Sequence, residues 1–148
     1  MPKVRPLSAE EESELDRYLI YAMELVPIVQ EIQEEGFLIV ATHLLIDNLR
    51  DDADLPSGVS VEDAVVWLGV LWGEELCRLS SFGWLYVKLD SGFEGVAIVD
   101  ENNSRVCFPI HVIHSFVHNK KMTNDCMGLF ARLFKGESLS QNAFVVMG

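Results

Sequence analysis

The chain is short of positive charge, of paired cysteines and of long apolar runs. Lys and Arg total 11 against 23 Asp and Glu, a formal net charge of −12 over 148 residues. With no basic patch there is little to meet phosphates, which argues against a nucleic-acid binder and against docking on an anionic membrane. Lys120-Lys121 is an isolated pair, and Arg132 and Lys135 fall at a helix end, where cations suit the dipole. The three cysteines, Cys77, Cys107 and Cys126, form no CxxC pair. So sparse and odd a set speaks against a disulfide framework and fits a reducing compartment. No stretch reaches the ~18 consecutive apolar residues of a membrane span. Phe37–Ile46 is interrupted by Thr42 and His43, and Ala64–Trp72 is short and runs into charge, so both read as core. The opening Met-Pro-Lys-Val-Arg-Pro lacks the apolar core of a secretory leader, and the expected location is cytoplasmic. A phosphate-cradling GxGxxG after a strand is also missing.

What is present is an uneven acid load on a hydrophobic chain. The hydrophobic fraction is 49%, and the length suits one domain with a real core. Residues 1–65 carry 15 acids and 4 bases, whereas residues 66–148 carry 8 acids and 7 bases. Almost the whole excess therefore lies in the first half. Such a field attracts basic partners from a distance. It points to a basic protein met by the segments Glu10–Asp16, Glu31–Glu35 and Asp51–Asp63, with Glu10, Glu14, Glu31, Glu34, Asp51 and Asp52 as the contacting acids. An acidic face also serves plain solubility, which is its commoner use.

The pattern predicts an α+β domain. Ser8-Ala-Glu-Glu11 is a capping box that starts a helix running to about Leu25, with Leu15, Tyr18, Leu19, Ala22 and Met23 at helical spacing. Pro27 opens a second helix that Gly36 ends, and Phe37–Arg50 reads as a third. The loop Asp51–Gly58 precedes a fourth helix capped by Ser60 and Asp63. In that helix Gly69 and Gly73 stand four residues apart, each costing about 1 kcal/mol relative to Ala, and so imply close approach of another backbone. Gly83–Leu89 alternates, Asp90-Ser-Gly92 is a hairpin turn, and Gly95–Val99 and Arg105–Phe108 complete a three-stranded antiparallel meander. Pro109 opens a helix to about Asn119, and a last one spans about Thr123 to Lys135. Ala143–Met147 is either an edge strand or a loose tail. The parts are an acidic helical segment (1–58), a helix–meander–helix segment (59–136) and a tail (137–148) within one domain. Exposed edge strands and high apolar content make a homodimer an open option.

Few residues suggest chemistry. His111, His114 and His118 fall within about 60° of one another on the Pro109 helix, away from Ile110, Ile113, Phe116 and Val117. An i,i+3 or i,i+4 pair of histidines suits a metal. All three cannot converge, since positions seven apart are about 10 Å apart along the axis. A third ligand, such as a thiol or carboxylate, would have to come from elsewhere, so the expectation is no metal and no cofactor, with an exposed polar face instead. Glu74 and Glu75 follow Gly73, and a carboxylate there, beside Trp72, could serve as a general acid or base. Trp84 and Tyr86 share one face of their strand and could stack on a ligand, although core packing is the commoner use. Cys107 and Cys126 are nucleophiles only if a histidine lies beside them. The alternative to a binding protein is thus a small enzyme or ligand binder with a sheet–helix cleft around Glu74, Trp84 and Tyr86.

The order Leu68-Gly69, Gly73-Glu74, Gly83-Trp84 on a strand, a hairpin, and Pro109 opening a helix resembles a bacterial domain family of unknown function. The resemblance covers about Val66 to Phe134. It implies an immunity-like or accessory protein, and it carries no catalytic residues to transfer.

Overall fold

The computed structural model describes residues 3–26, 37–51, 55–101, 105–134 and 145–147. The chain is α+β. Its elements are β1 (Lys3–Arg5), α1 (Ala9–Leu25), α2 (Phe37–Arg50), α3 (Val61–Leu79), β2 (Gly83–Lys88), β3 (Glu94–Val99), β4 (Arg105–Cys107), α4 (Pro109–His118), α5 (Cys126–Phe134) and β5 (Val145–Met147). The expected helix opened by Pro27, the end of the last helix at Gly136, and the acids Glu31, Glu34 and Asp52 lie outside the described residues.

Both capping boxes form as the sequence predicts. Ser8 accepts from the Glu11 amide while Glu11 accepts from the Ser8 amide, and Ser60 and Asp63 do the same at α3. Glu11 has a second partner, the Arg5 guanidinium at 2.8 Å, which ties β1 to the start of α1. The Arg5 hydrogen bond first, and the Ser8 amide second, hold the Glu11 carboxyl down at about 2. A carboxyl whose folded pKa lies below its unfolded value stabilises the fold above the unfolded value, near 4.5, and loses that contribution as pH falls toward 2. Glu11→Gln should therefore flatten the fall of stability in that window and leave neutral pH the less stable by a modest amount. Denaturant midpoints measured from pH 7 to pH 2 check this; the pair is exposed, so the effect is small.

α3 is the centre of the helical layer. Residues on all its sides are buried, from Ala64 and Leu68 to Trp72 and Leu76, and α1, α2, α4 and α5 all pack on it. A helix apolar all round is one enclosed by others. Gly69 and Gly73 are where α4 and the sheet come closest. A Cβ on Gly69 would stand 2.6 Å from Ile110 Cα, and one on Gly73 would stand 2.7 Å from the Pro109 ring and the Trp84 ring. The pairs Gly73–Pro109, Gly69–Ile110 and Glu62–His118 run in opposite senses along the two helices, so α3 and α4 are antiparallel.

The sheet has five strands in the order β1-β2-β3-β4-β5, all antiparallel, where three were expected. The central meander agrees with the expectation, and Gly92, at φ +96°, makes its turn. The two extra strands are three residues each and join the edges. Lys3-Val4-Arg5 carries no periodicity of its own, because backbone pairing with Tyr86–Lys88 forms it. β5 pairs with β4 and decides for the edge strand over the tail. Ile98 and Cys107 enter the main core with α3, α4 and α5, while Val87, Ala97, Val99 and Val106 form a second cluster on the opposite face. α5 begins at Cys126 rather than near Thr123, with the Asn124 side chain accepting from the Cys126 amide.

Candidate functional site

The acidic residues of α1 divide into two sets. Glu10 is exposed and Glu14 half-buried on one flank. On the outer side Glu12, Asp16 and Glu24 are exposed around Ile20 and Met23, which are 62% and 45% exposed. At 3.6 residues per turn these five form one continuous stripe. Met23 thus leaves the apolar face assigned to it from spacing alone. Among the described residues none of Glu10, Glu12, Glu14, Asp16 and Glu24 makes an ion pair, whereas Glu11 is held by Arg5. Asp51 is exposed just after α2.

Glu74, Trp84 and Tyr86 each have a hydrogen-bond partner within the fold. The Trp84 indole N–H donates to Glu74 Oε2 at 2.8 Å, and its ring packs on Gly73. Tyr86 points farther along the same sheet face; its hydroxyl donates to Glu94 at 2.8 Å and the Arg5 guanidinium lies 4.1 Å over its ring. The neighbouring Glu75 is the buried member of the Glu74-Glu75 pair and takes both arms of Arg78 at 3.0 and 2.9 Å. All three aromatic or acidic groups named for the cleft therefore have structural partners.

A cysteine–histidine–carboxylate line does form, where α5 brings Cys126 beside the i,i+4 pair His43 and Asp47 of α2. Cys126 Sγ lies 3.8 Å from His43 Nδ1, and His43 Nε2 lies 3.5 Å from Asp47 Oδ2. Asn124 donates to Asp47 and to the His43 carbonyl, fixing α5 against α2. The order of groups is that of a thiol nucleophile with its base and orienting acid. Its chemistry is shut off: Cys126 is wholly buried, and burial, then the Asp47 and Asp125 charges, push the thiol up to about 12. Burial and then Glu74 push Cys77 up to about 12 as well, and burial raises Cys107. A thiolate is the reactive form. An aromatic disulfide reagent at neutral pH should therefore leave the folded chain essentially unmodified and titrate three thiols in denaturant. Fast reaction of one thiol in the folded chain would contradict this arrangement.

The histidines of α4 face outward, as expected, with His114 and His118 exposed and His111 half-buried. His114 and His118 stack with ring centroids 4.4 Å apart. His118 Nε2 is 2.9 Å from Glu62 Oε1 in the first turn of α3. Donor atoms of Glu62, His114 and His118 all lie within 4.8 Å of one another. His111 is outside this group, its ring 5.9 Å from that of Phe93. Beside it a cavity of about 360 Å³ opens between β3 and α4, lined by Phe93, Val96, Phe108, Ile110, His111 and His114. Glu74, Trp84 and Tyr86 are not among its lining residues.

No family model, curated protein or solved structure matches the chain. Among the described residues no helix is long and apolar enough to cross a membrane. Sequence reading missed Glu62, His43 and Asp47. The His43-x-x-x-Asp47 spacing was a visible i,i+4 pair, but Glu62 joins the histidines only through the antiparallel contact of α3 and α4.

Proposed function

We propose that this chain is a non-enzymatic, cytoplasmic protein-binding module of the immunity or accessory kind, which takes a basic partner on its acidic helical face. The observation that carries the reading is the outer stripe of α1, where Glu12, Asp16 and Glu24 surround exposed Ile20 and Met23 with no ion pair among the described residues. Exposed apolar side chains flanked mainly by acids, with Arg17 the one base of α1 beside them, suit an amphipathic segment with basic residues around an apolar anchor. Charge sets the encounter rate and partner choice, and the apolar contact supplies the retention. Glu10, Glu14 and Asp51 widen the field around the stripe. Nucleic acid and anionic membranes are disfavoured by the same charge.

The enzyme or ligand-binder reading loses ground because Glu74 is committed to Trp84 and lies away from the cavity. Dimerisation through the sheet edge is disfavoured at β1, which is three exposed residues bearing Lys3 and Arg5.

The test is capture from extract at low and high salt by the wild-type chain and by a Glu12→Lys, Asp16→Lys, Glu24→Lys variant. The expected result is a basic protein held by the wild type at low salt, released at high salt and not held by the variant. Its affinity, remeasured with purified components, should fall at least tenfold on charge reversal. Identical retention by both chains would overturn the reading.

A further inference from the structure

We propose that Glu62, His114 and His118 form a binding site for a borderline divalent transition metal of the Zn²⁺ class, joining the start of α3 to the end of α4. Two histidines at i and i+4 lie one above the other on a helix face, which is the spacing from which one helix supplies two imidazoles to one ion. The third ligand comes from the facing helix. The backbone approach at Gly69 and the antiparallel course of α3 and α4 set Glu62 Oε1 2.9 Å from His118 Nε2. The three donor atoms already lie within 4.8 Å of one another. In a tetrahedral site with bonds near 2.0–2.1 Å, ligand atoms are separated by about 3.3 Å. The remaining closure is small, and all three side chains are exposed and free to make it by rotamer adjustment.

The donor set selects the class of ion. Two imidazoles and one carboxylate suit zinc, nickel or copper better than calcium or magnesium, which take oxygen ligands. Three protein ligands leave a coordination position open, as in zinc sites that hold a water or a ligand. Of the three ligands, His114 also lines the cavity between β3 and α4. His111 is not among the donors that lie within 4.8 Å of one another. Cys107 and Cys126 are without exposure and so are no competitors in the folded chain. The site is independent of the partner-binding stripe on α1.

The experiment uses the full chain without an affinity tag. Zn²⁺ is titrated calorimetrically, and Co²⁺ is followed by its visible absorption, which distinguishes tetrahedral nitrogen and oxygen ligation from the hexaaquo ion. One equivalent should bind, and saturating Zn²⁺ should raise the thermal midpoint by mass action. His114→Ala and His118→Ala should each weaken binding at least tenfold, Glu62→Gln by a smaller factor, and His111→Ala by less than twofold. Glu62, His114 and His118 are exposed and His111 is half-buried, and circular dichroism of each apo variant verifies its fold. Absence of saturable binding would overturn the proposal. So would one-equivalent binding that survives the His114→Ala, His118→Ala double variant, or an effect of His111→Ala as large as that of His118→Ala.

Discussion

Gly69→Ala is expected to lower stability by about 2 kcal/mol, even though alanine is the better helix former. The added Cβ would stand 2.6 Å from Ile110 Cα and 2.9 Å from Ile110 N. Both are backbone atoms of α4 and cannot rotate aside, so the two helices must separate along their contact. Overpacking of this kind costs ~1–3 kcal/mol or more, against roughly 1 kcal/mol returned by helix propensity. For a chain of this size the midpoint should fall by roughly 4–8 °C. Gly83→Ala is the matched control, since nothing lies within 4 Å of its Cβ. Thermal unfolding of the two variants side by side decides the matter; equal midpoints would mean that the α3–α4 approach is looser than described.

Trp72→Ala should cost more, about 3–5 kcal/mol, a large share of the ~5–15 kcal/mol that holds a domain folded. Trp72 has no exposed surface, meets the edge of Phe130 at 6.0 Å between ring centroids, and donates its indole N–H to the Cys126 carbonyl at 3.1 Å. It thus anchors α5 to the central helix by both packing and polarity. Trp72→Phe separates the two contributions. It keeps an aromatic ring but removes the donor, and should cost about 1–3 kcal/mol. Urea unfolding of both variants measures the difference. An alanine variant no less stable than the phenylalanine one would show that α5 does not depend on this side chain.

Local signals carried most of the architecture. Ser8 and Ser60 with their acidic partners marked helix starts, Pro109 marked another, and Gly92 marked the hairpin, because each acts through backbone geometry within a few residues. The close approach at Gly69 and Gly73 was legible for the same reason: glycine in a helix interior has a cost that only packing offsets. Its partner was not legible, since Ile110 is 41 positions away in sequence and on another helix. The edge strands β1 and β5 escaped because three residues hold no period and their pairing is nonlocal. The histidine face was visible by angle, but the carboxylate beside it was not. Glu74 and Trp84 looked like a cleft pair and are instead hydrogen-bonded to each other, an outcome that residue type alone does not distinguish.

The way α1 is attached has a consequence for hydrogen exchange. Ala22 and Val26 dock with Ala41 and Leu71 in a small cluster that Trp67 links to the large core around Leu68, Trp72 and Leu76, and α1 enters that large core through Leu25. Releasing α1 breaks the small cluster and withdraws Leu25 from the large one, which exposes less apolar surface than breaking the large core as a whole. The amides of α1 therefore exchange through a partial opening, while those of α3, enclosed by four helices, exchange only when the whole domain unfolds. A partner seated on the outer stripe of α1 would close that low-energy route, so binding would be read as slowed exchange confined to residues 9–25, with the amides of α3 unchanged.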